Sequence, residues 1–128
     1  MAKKILIIED YPATSEMIAS LMKMEGFEAS IAADVLVGIK MAVAEHPDLI
    51  LLDIMLPEMD GFEVCDRLKK NPATTDIPII IVSVRAADES VKKGKALGAD
   101  GYIPKPFDPF KLVEIVKKHL EENKPVAG

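Results

Sequence analysis

The sequence predicts an α/β fold, a (βα)5 doubly wound sheet of five parallel strands, and three observations point to it. Short apolar runs alternate with segments of helical periodicity along the chain. The runs at Ile5–Ile8, Leu49–Leu52 and Ile77–Val82 are apolar at every position, as in strands buried on both faces. Leu49–Leu52 runs straight into Asp53, with Pro57 and Gly61 close behind, so a carboxylate stands at a strand's C-terminal end. In open α/β sheets, ligands and chemistry collect at that edge.

Each element has its own signal. Ile5–Ile8 is the first strand, closed by the polar turn Glu9-Asp10-Tyr11-Pro12. Thr14 to Glu25 carries Met17, Ile18, Leu21 and Met22 at helical spacing, and Gly26 is a natural stop. Glu28–Ile31 is shorter and more polar, as expected of an edge strand. Asp34 suits the N-cap of a helix whose expected apolar face is Leu36, Ile39, Ala42 and Val43, closed by Pro47. Leu49–Leu52 is the third strand. Gly61 to Lys70 is the third helix, with Phe62, Cys65 and Leu68 on one face, and Asn71-Pro72 breaks it.

Ile77–Val82 is the fourth strand and ends at Ser83. Asp88 to Leu97 reads as a weak helix, with few large apolar residues and Gly94 inside it. Gly98-Ala99-Asp100-Gly101 is a turn, and Gly101–Ile103 a short fifth strand followed by Pro104-Lys105-Pro106. Asp108 can cap the last helix, with Pro109 at its first position and Leu112, Val113, Val116 and Leu120 as the buried stripe. The expected strand order is 2-1-3-4-5, the flavodoxin-like arrangement, which makes strands 1 and 3 neighbours and sets Glu9 and Asp10 beside Asp53. Residues 1–122 form one domain in this reading, and 123–128 a flexible C-terminal tail.

Composition limits the function. Hydrophobic residues make up 49% and charged residues 29%, enough for a full core. A net charge of -5 argues against sequence-independent nucleic-acid binding. No run approaches membrane-spanning length, so membrane insertion is not expected and the chain reads as cytoplasmic. The lone Cys65 has no metal-type Cys/His spacing and reads as a small buried hydrophobe.

Glu9, Asp10 and Asp53 bring three carboxylates to one sheet edge. Two like charges about 4 Å apart repel by about 4 kcal/mol at an effective dielectric of about 20, so either a proton or a cation must sit among them. Oxygen-only ligands suit Mg²⁺. Ser83 ends strand four and Lys105 follows strand five, both on the same edge. Alone, the first is a turn residue and the second a solvated lysine; together with a cation, hydroxyl and ammonium can hold phosphoryl oxygens. An Asp carboxylate can itself attack phosphorus and form an aspartyl phosphate.

Glu9-Asp10, Asp53 with Pro57 and Gly61, Ser83, and Lys105-Pro106-Phe107 together resemble the receiver domain of two-component response regulators, over residues 3 to 122. Gly98-Ala99-Asp100-Gly101-Tyr102 echoes the same family. The resemblance, closest to stand-alone, chemotaxis-regulator-like receivers, implies a signalling phosphoacceptor and not an enzyme. Asp53 would take a phosphoryl group from the phosphohistidine of a sensor histidine kinase or phosphotransfer protein. Mg²⁺ would sit at Glu9, Asp10, Asp53 and the backbone carbonyl of Met55. Ser83 and Tyr102 would rearrange on phosphorylation, the Lys105-Pro106 bond would be cis, and the face formed by the Asp88–Leu97 helix, the fifth strand and the last helix would switch its binding of a downstream protein. Val84 and Arg85 flank the site; Val84 stands where the family usually has a smaller residue and would hinder attacking water, giving slow dephosphorylation.

Other readings compete. A haloacid-dehalogenase-like enzyme wants a second Asp at position 55, which is Met. An FMN carrier wants a hydroxyl- and Gly-rich loop where Glu9-Asp10 stands. A receiver-like scaffold acting without phosphorylation is the remaining alternative. Phe107 and Phe110 read as core or edge packing, and His46 and His119 carry no assigned role.

Overall fold

Residues 2–52, 61–83, 96 and 98–122 are described by a computed structural model. Its strands are β1 (Lys4–Ile8), β2 (Glu28–Ala32), β3 (Leu49–Leu52), β4 (Ile79–Ser83) and β5 (Gly101–Pro104). Its helices are α1 (Pro12–Met24), α2 (Val35–Glu45), α3 (Gly61–Lys70) and, last in the chain, α4 (Pro109–Glu122). The sheet is five-stranded and parallel in the order β2-β1-β3-β4-β5, as the sequence predicts. The helix expected over Asp88–Leu97 and the tail 123–128 lie outside the described residues, Ala96 excepted.

The sheet separates two aliphatic layers. Ile5, Ile7, Leu49, Leu51, Ile80 and Val82 face α1 and α4, meeting Ile18, Met22, Leu112 and Val116. Leu6, Ile8, Ile50, Leu52 and Ile79 face α2 and α3, meeting Val35, Ala42, Val64, Cys65 and Leu68. The alternate side chains of one strand thus serve opposite layers, which is why these runs have no polar face.

Helix ends follow local chemistry. The α1 helix starts at Pro12, earlier than Thr14, because proline's fixed φ and missing N–H suit a first helical position. It ends at Gly26 (φ 88°), where the Gly26 N–H donates to Lys23 O at 3.0 Å and the Phe27 N–H to Met22 O at 3.0 Å, a Schellman closure. Asp34 caps α2 as expected, its Oδ1 accepting the Val37 N–H at 2.9 Å. Asp108 caps α4, its Oδ1 accepting the Phe110 N–H at 2.9 Å.

Three expectations need correction. The inner face of α2 is Val35, Gly38 and Ala42, with Ile39 half-buried, while Leu36 and Val43 point outward. A Cβ on Gly38 would come within 2.9 Å of Ile8 Cδ1, so the helix lies close on the sheet and small residues, not the largest ones, occupy its inner face. The fourth strand begins at Ile79 and not at Ile77, because the Ile77 N–H is taken by Thr74 O at 3.0 Å in the preceding turn. Phe110 is 85% exposed and is not core packing, whereas Phe107 does pack against the α1/α4 layer.

Candidate functional site

The site is built at the C-terminal edge of the sheet. Ile8 of β1 lies opposite Leu52 of β3 in the ladder, so the two strands end level with each other. Glu9 follows directly, held in place by its N–H, which donates to Ala32 O of β2 at 3.0 Å. Its side chain is turned into the protein and is only 3% exposed. Asp10, the next residue, is exposed. On the other side of the sheet, Ser83 of β4 lies opposite Pro104 of β5, and Lys105 follows with a cis peptide to Pro106.

Lys105 does not point away into solvent. Its Nζ donates to Glu9 Oε1 at 2.6 Å, and its side chain is 19% exposed. Since β3 and β4 lie between β1 and β5, this ion pair arches over the ends of the two central strands. A small cavity of about 10 Å³ beneath it is lined by Ile7, Ile8, Ile18, Leu51 and Val82 together with the pair itself. The low-polarity floor strengthens the attraction between the two charges and makes either one costly without the other.

Asp53, which follows Leu52 in the sequence, Met55, Val84 and Arg85 lie outside the described residues, as does the side chain of Ser83. The structure therefore brings together Glu9 and Lys105, with Asp10 alongside. Tyr102 lies opposite Ile81 in the β4–β5 ladder and, half-buried, packs against Ile81, as does Ala99. Residue order assigns Glu9 to a metal and Lys105 to a phosphoryl group; the direct pairing of the two was not legible in it.

Donor chemistry bears on Mg²⁺. Glu9 and Asp10 supply carboxylate oxygens at one strand end, with no nitrogen or sulfur donor beside them in the chain, the ligand type that Mg²⁺ prefers. Among the described residues no group of three or more His, Cys, Asp or Glu side chains gathers as a metal site. The two acids suit the ion only as part of a larger oxygen set.

The edge carries apolar groups at its rim. Tyr11 is 61% exposed and Met17 43% exposed, and a cleft lined by Thr14, Met17, Lys105, Pro106, Phe107 and Pro109 opens beside them. Elsewhere, no helix of the described residues is long and apolar enough to cross a membrane.

Comparison with known proteins gives one consistent result. Residues 5–117 match the family model of the response regulator receiver domain. The chain is 40% identical over 117 residues to the DNA-binding dual master transcriptional regulator RpaA of Synechocystis, covering 91% of this chain and 48% of that protein. It is 40% identical over 125 residues to the phosphate regulon transcriptional regulatory protein PhoB of Pseudomonas aeruginosa, covering 98% and 55%. The chain thus spans about half the length of these curated relatives. Among solved structures, a CheY-like receiver domain protein from Methanospirillum hungatei aligns with a TM-score of 0.89 at 34% identity, covering 95% of this chain and 96% of that one.

Proposed function

The chain belongs to the response regulator receiver domain family, and from that premise we propose that it is a phosphoacceptor switch in two-component signalling, with Asp53 as the acceptor. The observation that supports this reading is the buried Glu9–Lys105 pair arching over the strand ends at the point where Leu52 leads into Asp53.

In this proposal an Asp53 carboxylate oxygen attacks the phosphorus of a phosphohistidine. The new O–P bond forms as the P–N bond breaks, and the donor imidazole leaves as the neutral base, its ring nitrogen taking up a proton. Lys105 exchanges its contact with Glu9 for one with the incoming phosphoryl oxygens, which frees the Glu9 carboxylate. Glu9, Asp10, Asp53 and the Met55 carbonyl would hold Mg²⁺, which when bound supplies charge neutralisation for the transferring group. Ser83 and Tyr102 respond to the phosphoryl group, and the face that includes β5 and α4 changes its affinity for a downstream protein. Val84 and Arg85 flank the phosphoryl group, and Val84 shields it from water.

The donor is a histidine kinase or phosphotransfer protein. Such a protein must cover the rim of the site, and exposed Tyr11 and Met17 give it an apolar footing there. Residues 1–122 form the receiver unit and 123–128 its tail. The role is that of a signalling domain and not of an enzyme with turnover on a separate substrate.

The test is phosphorylation by acetyl phosphate, with and without Mg²⁺, on the parent chain and on Asp53→Asn. A Mg²⁺-dependent, acid-stable and base-labile adduct on the parent alone is expected. An adduct that persists in Asp53→Asn would overturn the assignment of the acceptor, and Mg²⁺ binding without any adduct from either small donor or kinase would favour a scaffold that acts without phosphorylation.

A further inference from the structure

α2 and α3 lie on the same face of the sheet, yet they meet solvent differently. On α3 the outward side carries charge in i,i+4 pairs, Arg67 with Glu63 at 3.3 Å and Lys70 with Asp66 at 2.9 Å. On α2 it carries Leu36, Val37 and Val43, which are 66%, 43% and 44% exposed. From Ala32 to Ala44 the sequence holds two charged residues, Asp34 and Lys40. A helix apolar on all sides belongs in a buried setting, and among the described residues only the side that bears Val35, Gly38 and Ala42 is covered.

The two charges say what fits on the other side. Asp34 and Lys40 are opposite in sign and stand three residues to either side of Val37, about 4.5 Å each way along the helix axis. Two copies of α2 laid antiparallel about a two-fold axis at Val37 therefore set each Asp34 level with the Lys40 of the other copy. Lys40 is exposed, and its long stem can lie along apolar surface while its ammonium reaches the margin where Asp34 stands half-buried. Asp34 uses Oδ1 to cap the Val37 N–H at 2.9 Å, and a carboxylate has acceptor sites beyond that one.

We propose that α2 is a self-pairing face: two copies of this chain associate through Leu36, Val37 and Val43, held in register by reciprocal Asp34–Lys40 contacts. Such a contact uses the same patch on both copies, so it closes at two. The patch is a few side chains wide, which places the dimer among small, reversible interfaces. α1 and α4 lie on the other face of the sheet, so the pairing leaves them open to other proteins. The inference does not depend on whether Asp53 accepts phosphate.

The test is sedimentation of the full chain from about 10 μM to about 1 mM, the range in which weak pairs form, for the parent, Lys40→Glu, Leu36→Ser and Asp34→Lys. The parent is expected to pass from monomer to dimer. Lys40→Glu sets carboxylates against each other at both contacts and is expected to weaken association about tenfold or more. Leu36→Ser removes an apolar anchor and is expected to do the same. Asp34→Lys is expected to stay monomeric alone but to pair with Lys40→Glu when the two are mixed, because the mixed dimer regains opposite charges at both contacts. Should the loss of its cap keep Asp34→Lys from folding, Asp34→Asn retains a capping oxygen and is expected to weaken association about threefold or more. A parent that stays monomeric throughout would overturn the proposal, and binding of that monomer to anionic lipid vesicles, lost in Leu36→Ser, would give the face to a membrane surface instead. A dimer indifferent to Lys40→Glu and Leu36→Ser would overturn the choice of face. A mixture that fails to associate, or a dimer indifferent to Asp34→Asn, would overturn the antiparallel register.

Discussion

Two side-chain pairs occupy opposite ends of the sheet, and their surroundings set their worth. Glu9–Lys105 closes the C-terminal edge at 2.6 Å, with side chains 3% and 19% exposed. His46–Asp76 joins the loops before β3 and β4 at the other edge at 3.1 Å, with side chains 55% and 67% exposed. Water competes for the second pair and is largely shut out of the first. A buried pair of this kind carries a desolvation cost that aliphatic side chains of the same volume would avoid. Its placement at the end of the sheet where ligands gather is therefore informative, while the exposed pair says little beyond where two loops touch.

The sharpest way to break this contrast is Lys105→Ala. It removes the cation that lies 2.6 Å from the buried Glu9 carboxylate and should cost about 3–5 kcal/mol in urea unfolding. Glu9→Gln in the same background should recover most of that loss; a double variant no more stable than Lys105→Ala would show that the packing of the lysine stem, not charge, is what matters.

Cys65 extends the comparison to a buried group that keeps neutral. Burial pushes its thiol from 9.0 up to about 11, with Lys69 opposing the rise. The unfolded thiol ionises first, so between those values the native state holds more protons and stability falls as pH rises, by about 2 kcal/mol across the window. Denaturation followed from about pH 8 to about pH 11 should show this fall in the parent, and Cys65→Ala should flatten it.

The Lys69–Asp100 pair is intermediate, at 17% and 40% exposed. In Asp100→Ala, Lys69 keeps its bond to Ile77 O at 2.7 Å but the Ile79 N–H loses its carboxylate acceptor, so a loss of about 1–2 kcal/mol is expected by urea unfolding. Asp76→Ala, at the exposed end of the series, should change stability by about 0.5 kcal/mol or less; a loss as large as that of Asp100→Ala would contradict the ranking by exposure.

Much of the fold was legible because the strands are apolar throughout and the punctuation between them is chemically specific. Asp34 and Asp108 announced their helices, Gly26 ended one, and the order of strands followed from the alternation of elements. What failed to show was distance across the sheet. Periodicity marks α2 as apolar but does not say that Gly38 lets it lie so close to Ile8 that Leu36 is forced outward. Residue order likewise puts Glu9 and Lys105 at one edge without revealing that the lysine just after β5 meets the carboxylate just after β1, with two strands between them in the sheet. His119 had no sequence signal at all, because its ring meets the main-chain carbonyls of Ile115 and Asp100, and every residue type presents a carbonyl equally well.

The double-sided burial of β1 has a consequence for how its reading frame is kept. An alternating strand announces a one-residue slip by throwing polar groups inward, but Ile5-Leu6-Ile7-Ile8 would look much the same to both layers after such a slip. The margins do the proofreading instead. At one margin the Lys4 N–H meets Asp48 Oδ2 at 2.7 Å and Lys4 O receives the Asp48 N–H at 2.8 Å; at the other, Glu9 must arrive where Lys105 can reach it. A single residue deleted from the middle of β1 would drag that carboxylate into the aliphatic ladder, so the charge that serves the site also acts as the stop mark that tells the strand where to end.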